Sequence, residues 1–501
     1  MRLPFPTHIP VQKAFIFAVA LFCVQQLEHT ELLFSALVFA FILISVLAFN
    51  LAGGFAHPSG AYIFWFVTLA GLTGLIWKAV LGEAAQTNLE MPDITMAAYD
   101  ASVLAMLAAV LLTRRWSRNS KGIGGLLRSE STDLGQASLG CMAFAVLLIP
   151  ISAILPSGSG SLVSIIYRLN LSFPLGIILG VLYTIRRTHG RHSVNLLTFG
   201  AMVFLFLYGG MATFSKQGLF SPIICWLIPA CCARYRLKLR HIVVLVTFGI
   251  LAFMILTPLS EVGRASVPES YNVNQRIVYS FGLISHPVQL RKQFQSNPMV
   301  DRTDPLGMRG GYFDTNQGLF DRLTMMPIDS GLIAYSERGH YLGFSPVLDN
   351  IENWLPHFIL PNKVMPVNGN FYAHEIGGLL SADDFSTGIS FSPASELFHW
   401  EGWFGLLVLG PLLWGLLFFV SDFVSGDLRV YPWGLLLVLI FGHVAPEMGI
   451  GGAINFVWLG NASVIAAALF STQIAPILGA LFGGQPNFDS EGPLIPVLPP
   501  A

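Results

Sequence analysis

In the stretch "GISFSPASELFHWEGWFGLLVLG", Gly388 to Gly410, three groups able to carry protons stand just before an apolar run. Glu396, His399 and Glu401 fall at i, i+3 and i+5. On a helix that starts early, Glu396 and His399 share one face and Glu401 points elsewhere. A carboxylate paired with an imidazole can act as a general base with its orienting partner. The other reading makes Glu396 a helix-start carboxylate, where acids are favoured. A second pair, His443 and Glu447 in "GHVAPEMG", stands at i, i+4, but the intervening proline speaks against a helical pairing.

Four isolated cations form a second candidate set: Arg168 in "SIIYRLNLSFP", Lys216 in "ATFSKQGLFSP", Arg264 and Arg276. A cation at membrane depth is costly and marks a functional site, unless it snorkels to headgroups or pairs with an acid. Four on one face favour an anionic ligand. A guanidinium fork fits phosphate bidentately, and a lipid diphosphate presents its charge at that depth. Lys78 and Asp100 are further intramembrane candidates. No Walker loop, dinucleotide fingerprint, HExxH or GxSxG is present. The early outer loops lack an acidic cluster for a metal, although Glu28 and Glu31 lie in the first.

The elements that must position these residues follow from composition. The chain has 501 residues, is 54% hydrophobic and 11% charged, and has a mean hydropathy of +0.65. Soluble domains carry about 25% charged residues. Repeated apolar stretches of about 20 residues define a polytopic membrane protein. A net charge of −1 argues against nucleic-acid binding. The five cysteines, Cys23, Cys141, Cys225, Cys231 and Cys232, lack zinc-site spacing, and no disulfide framework is expected.

The expected fold is all-α, with about twelve transmembrane helices: 13–28, 32–53, 60–82, 96–113, 137–155, 170–185, 193–212, 218–233, 240–259, 400–420, 432–450 and 453–475. The first is expected to be a retained helix rather than a signal peptide. With the N-terminus inside, "TRRWSRNSKG", "IRRTHGRH" and "RYRLKLRH" all fall in inner loops. Both termini are then cytoplasmic. The chain divides into a membrane region (1–259), a large outer loop (260–399), a second membrane region (400–475) and a flexible tail (476–501). The outer loop carries nine basic residues, which long loops translocate regardless of charge. Within it, "LIAYSERGHYLGF" and "NWLPHFILPNKV" are too apolar for a free linker and read as lipid-facing or re-entrant helices.

"STGISFSPASELFHWEGWFGLLVLG" resembles the late signature of Wzy-type O-antigen and exopolysaccharide repeat-unit polymerases, where a Ser-Pro segment leads to a Glu, an aromatic and a Gly-x-x-Gly entering a membrane helix. "NWLPHFILPNKVMP" resembles the family's earlier Pro-aromatic element, and "FSKQGLFSPIICWL" its basic turn before a helix. The resemblance covers about the second half of the chain. It implies a glycosyltransferase in the bacterial inner membrane, joining undecaprenyl-diphosphate-linked oligosaccharides at the periplasmic face without metal or other cofactor. Implied partners are those glycans, the bilayer, and the flippase and chain-length regulator of the same pathway. On this reading Lys216, Arg264, Arg276 and Arg168 hold diphosphate, and Glu396 or His399 deprotonates the acceptor hydroxyl. Related O-antigen ligases often carry a His-Asn pair where this chain has Phe391 and Ser392, which weakens a ligase-like reading. The rival from another class is a secondary transporter, which commonly shows matched halves that this hydropathy pattern lacks.

Overall fold

A computed structural model describes residues 2–117, 122–127, 133–154, 171–268, 270–295, 311–315, 317–355, 359–360, 368–377, 379–380, 383–384 and 388–483. Among them every regular element is helical. In lipid this is the outcome that satisfies each backbone group within its own segment.

Six helices are long and apolar enough to cross a membrane: α2 (Leu32–Ala52), α3 (Pro58–Leu81), α4 (Pro92–Trp116), α9 (His241–Ser266), α15 (Pro393–Ser425, whose last part, Gly410–Ser425, is α16) and α18 (Gly449–Gly483). Shorter apolar helices are α1 (Val11–Leu27), α5 (Leu134–Leu148), α7 (Leu196–Met211), α8 (Lys216–Cys232) and α17 (Pro432–Glu447). The polar-ended α6 (Ser172–Arg187) completes this set. Each of the twelve expected spans overlaps one of these helices. Leu196, Val244 and Ile250 stand well exposed, forming an apolar outer surface suited to lipid rather than water.

Between α9 and α15 lie α10 (Val273–Ile284), α11 (Pro287–Gln295), α12 (Met326–Glu337), α13 (Ser345–Glu352) and α14 (Gly369–Ile376). Asn272 and Asn368 cap the starts of α10 and α14 with their side chains. α12 contains the first half of "LIAYSERGHYLGF". Leu332, Ile333 and Ala334 are buried as α12 packs on α15 and α4. Of the two readings of this stretch, lipid-facing or re-entrant, the burial speaks against the first. Much of "NWLPHFILPNKV" lies outside the described residues. The expected boundary at 399/400 falls inside the first segment of α15, and helix continues past 476 to Gly483.

Backbone contacts sort the helix ends into two groups. At one end, the Ala85 amide donates to Thr30 Oγ1, and the Tyr312 hydroxyl donates to the Ala85 carbonyl. The Met91 amide reaches Ser330 there. At the other end, Leu3 pairs with Tyr235, Leu428 with Ala56, and Ser59 with Asp422. Each contact joins helix ends of the same parity.

Candidate functional site

α15 starts with an N-cap: Ser392 Oγ accepts the Ala394 amide at 3.2 Å, and Pro393 opens the first turn. The Ser392 amide donates in turn to Asp329 Oδ1 of α12 at 3.0 Å. The same oxygen accepts Ser395 Oγ at 2.6 Å, while Tyr99 of α4 donates to Oδ2 at 2.5 Å. Burial pushes the Asp329 carboxyl above the usual carboxylate range, against the pull of these donors. One buried carboxylate therefore ties α4, α12 and the start of α15 together.

This anchoring presents Glu396 and His399, an i, i+3 pair, to a second i, i+3 pair on α14, Tyr372 and Glu375. The Tyr372 hydroxyl donates to Glu396 Oε1 at 2.9 Å. Trp400 Nε1 donates to the Tyr372 oxygen at 2.9 Å, which commits the tyrosine proton to Glu396. The other Glu396 oxygen accepts the Gly451 amide at 3.0 Å, in the first turn of α18. Glu396 is only 4% exposed. It caps the start of α18, not the start of its own helix, and the dipole there favours its charge. Gly449 makes this possible: its φ is +59°, and a Cβ would fall 2.0 Å from Glu396 Oε2.

His399 is paired with Glu375, not with Glu396: Nε2 lies 3.0 Å from Glu375 Oε2. Its Nδ1 lies 2.9 Å from Ser336 Oγ, whose own hydroxyl donates to the Leu332 carbonyl at 2.8 Å. The hydrogen bond between Nε2 and Glu375 holds one proton between imidazole and carboxylate. His399 is fully buried, whereas the Glu375 side chain is 22% exposed and forms the open side of the pair. Glu401 takes no part. It stands at a break in α15, with φ −141°, next to Gly402 at φ +56° and ψ −138°, a conformation suited to glycine. The carbonyls of His399 and Trp400 accept the amides of Leu342 and Gly343 at 3.1 and 2.9 Å.

The cations divide. Lys216 bonds Glu261, and Arg322 approaches the same carboxylate at 3.5 Å. Arg264 lies within electrostatic reach of Lys216 and donates to the Phe214 carbonyl at 3.2 Å, which Ser260 also holds at 2.6 Å. Two cations thus meet one acid, and a third stands beside them. Arg276 bonds the Tyr271 carbonyl at 3.0 Å instead. Arg168 lies outside the described residues. Lys78 is a structural clip: its ammonium bonds Thr87 and the Ala84 carbonyl, lies 3.6 Å from Glu83 and sits over the Tyr312 ring. Asp100 keeps one buried carboxylate oxygen without a hydrogen-bond partner. His443 and Glu447 do pair, at 3.0 Å, because Pro446 lies in the last turn and leaves the path of α17 intact.

The sequence reading missed Tyr372, Glu375, Asp329, Glu261 and Arg322. Only the i, i+3 spacing of Tyr372 and Glu375 in "NFYAHEIGG" was available, and nothing local shows which face it meets. Among the described residues no three His, Cys, Asp or Glu side chains converge as metal ligands would. No protein family, curated protein or solved structure matches the chain.

Proposed function

We propose that the protein is a membrane-embedded glycosyltransferase that polymerises undecaprenyl-diphosphate-linked oligosaccharide repeats at the periplasmic face of a bacterial inner membrane. One observation carries this reading: the proton-sharing His399–Glu375 pair stands in the same parity group of helix ends as the cation surplus at Lys216, Arg264 and Arg322. Direct displacement at an anomeric carbon needs both. The cations stabilise the departing diphosphate as its charge develops. The open Glu375 carboxylate takes the proton of the acceptor hydroxyl while the hydrogen bond from His399 orients it. The acceptor oxygen bonds the anomeric carbon as the carbon–diphosphate bond breaks. Glu396 acts as a positioning residue that fixes α18 against α14 and α15. Basic loops of one parity support this orientation, in which both termini are cytoplasmic.

Deletion of the gene tests the reading by gel analysis of surface polysaccharide. Loss of polymer with retention of single-repeat glycan is the expected result. Unchanged polymer rejects it. A second reading rests on the break at Glu401–Gly402, since transporters place interrupted helices at substrate sites. An exporter of the lipid-linked repeat would leave no single-repeat glycan at the surface after deletion.

A further inference from the structure

A groove of about 450 Å³ lies between α9 and α11, apart from both clusters above. Met254 and Ile255 form one wall, and Pro287 and Val288 the other, with Arg291 and Lys292 at the rim. The wall on α9 belongs to its short π-helical stretch, Ala252–Leu256, a kind of irregularity that recurs at functional sites. On α11 the helical period separates two faces. Leu290 and Phe294 are buried against Phe214, Leu259 and Val262, while Val288 is 68% exposed. On α9, Ile250, Leu251 and Met254 share one exposed face beside the groove. The groove therefore opens sideways onto the apolar surface.

Charge decides what fills it. Arg291 rests on uncharged neighbours: Nη1 lies 2.7 Å from Met254 Sδ, and the guanidinium lies 5.6 Å from the Phe253 ring centre. Among the described residues neither Arg291 nor Lys292 has an acidic partner. Met254 stands five residues, about 7.5 Å, inside the expected end of that span at 259, so Arg291 lies near the level of the lipid headgroups. Two cations at the rim of an apolar groove match a lipid phosphate with its chains along the exposed faces.

We propose that this groove binds an anionic phospholipid of the surrounding bilayer, with its phosphate between Arg291 and Lys292 and an acyl chain against Met254 and Val288. The occupant is bulk lipid, because exposed Ile250, Leu251 and Val288 join the groove to the apolar surface and neither Glu375 nor Glu261 lines it.

Native mass spectrometry of the full chain in detergent tests this, with phosphatidylglycerol and phosphatidylcholine of equal chain length as probes. The wild type should retain phosphatidylglycerol about tenfold over phosphatidylcholine. The Arg291→Gln, Lys292→Gln double variant should lose that preference while Arg322→Gln keeps it. Met254→Trp fills the groove from the opposite wall with both cations in place and should lower phosphatidylglycerol retention likewise. Equal retention of both lipids by the wild type, or an undiminished preference in the double variant or in Met254→Trp, overturns the proposal. So does retention of an added polyprenyl diphosphate, but not phosphatidylglycerol, through Arg291 and Lys292.

Discussion

The α14–α15 cluster and the Lys216–Glu261–Arg322 cluster satisfy their polar groups in opposite ways. In the first, Glu396 receives a donor on each oxygen, and Asp329 receives three donors from three partners. A network this complete fixes geometry, since losing one partner strands the others. In the second, Lys216 and Arg322 share one carboxylate, Arg264 stands within electrostatic reach of Lys216, and Arg322 is more than half exposed. An ion-pair set with surplus charge and open access suits an anion that comes and goes. Within the first cluster only the His399–Glu375 pair combines a movable proton with an open side. Rigid placement and available charge are thus divided between regions.

The sharpest way to break this comparison is Asp329→Ala. It strands the Ser392 amide and leaves the Ser395 and Tyr99 hydroxyls only the more distant Ser392 and Ala70 carbonyls, at a cost on the order of 3 kcal/mol. Membrane-fraction protein should fall steeply and its melting temperature should drop. A stable, abundant variant would show that the network does not hold α15. Next come Glu375→Gln and His399→Gln, which should accumulate normally while polymer formation falls about 100-fold or more; normal polymer in both would remove the proton-carrying pair. Lys216→Gln should reduce polymer about tenfold, because Arg264 and the exposed Arg322 remain, and its loss should be steeper at low salt than at high, where exposed charge is screened. Glu396→Gln is milder. Its amide can accept from Tyr372 but then opposes the Gly451 donor, so a stability loss of about 1 kcal/mol is expected, with polymer near normal. Complete loss of polymer at full protein level would move Glu396 from positioning to proton transfer. The least perturbing test sharpens the sidedness: in a background without native cysteines, an impermeant thiol reagent should label Asp314→Cys but not Arg187→Cys in intact spheroplasts. The reverse pattern would invert both clusters.

The helices were legible because lipid imposes apolar runs of fixed length, and each expected span meets a helix. The site was legible only where its partners are local. Glu396 and His399 stand out before a span, and Lys216 stands out in a short polar turn. Their partners come from elsewhere: Tyr372 and Glu375 are 24 residues from the groups they bond, Glu261 is 45 from Lys216, and Gly451 is 55 from Glu396. Composition carries no record of such pairings. The reading of Pro446 failed for a different reason. A proline disrupts the turn before it, and at the end of α17 little helix follows for it to misdirect.

The clamp on the His399 and Trp400 carbonyls also bears on the order of events during synthesis. Leu342 and Gly343 leave the ribosome before the first segment of α15. The clamp can form only once the first segment of α15 stands on the same side of the bilayer as Leu342 and Gly343. The apolar run after Gly402 can partition into lipid on its own, but the polar half before it is finished only on docking. Insertion of α15 and completion of its polar half are therefore separable steps. A stalled or truncated chain ending near Ser425 should reach the first and, lacking α18, fail to seat Glu396.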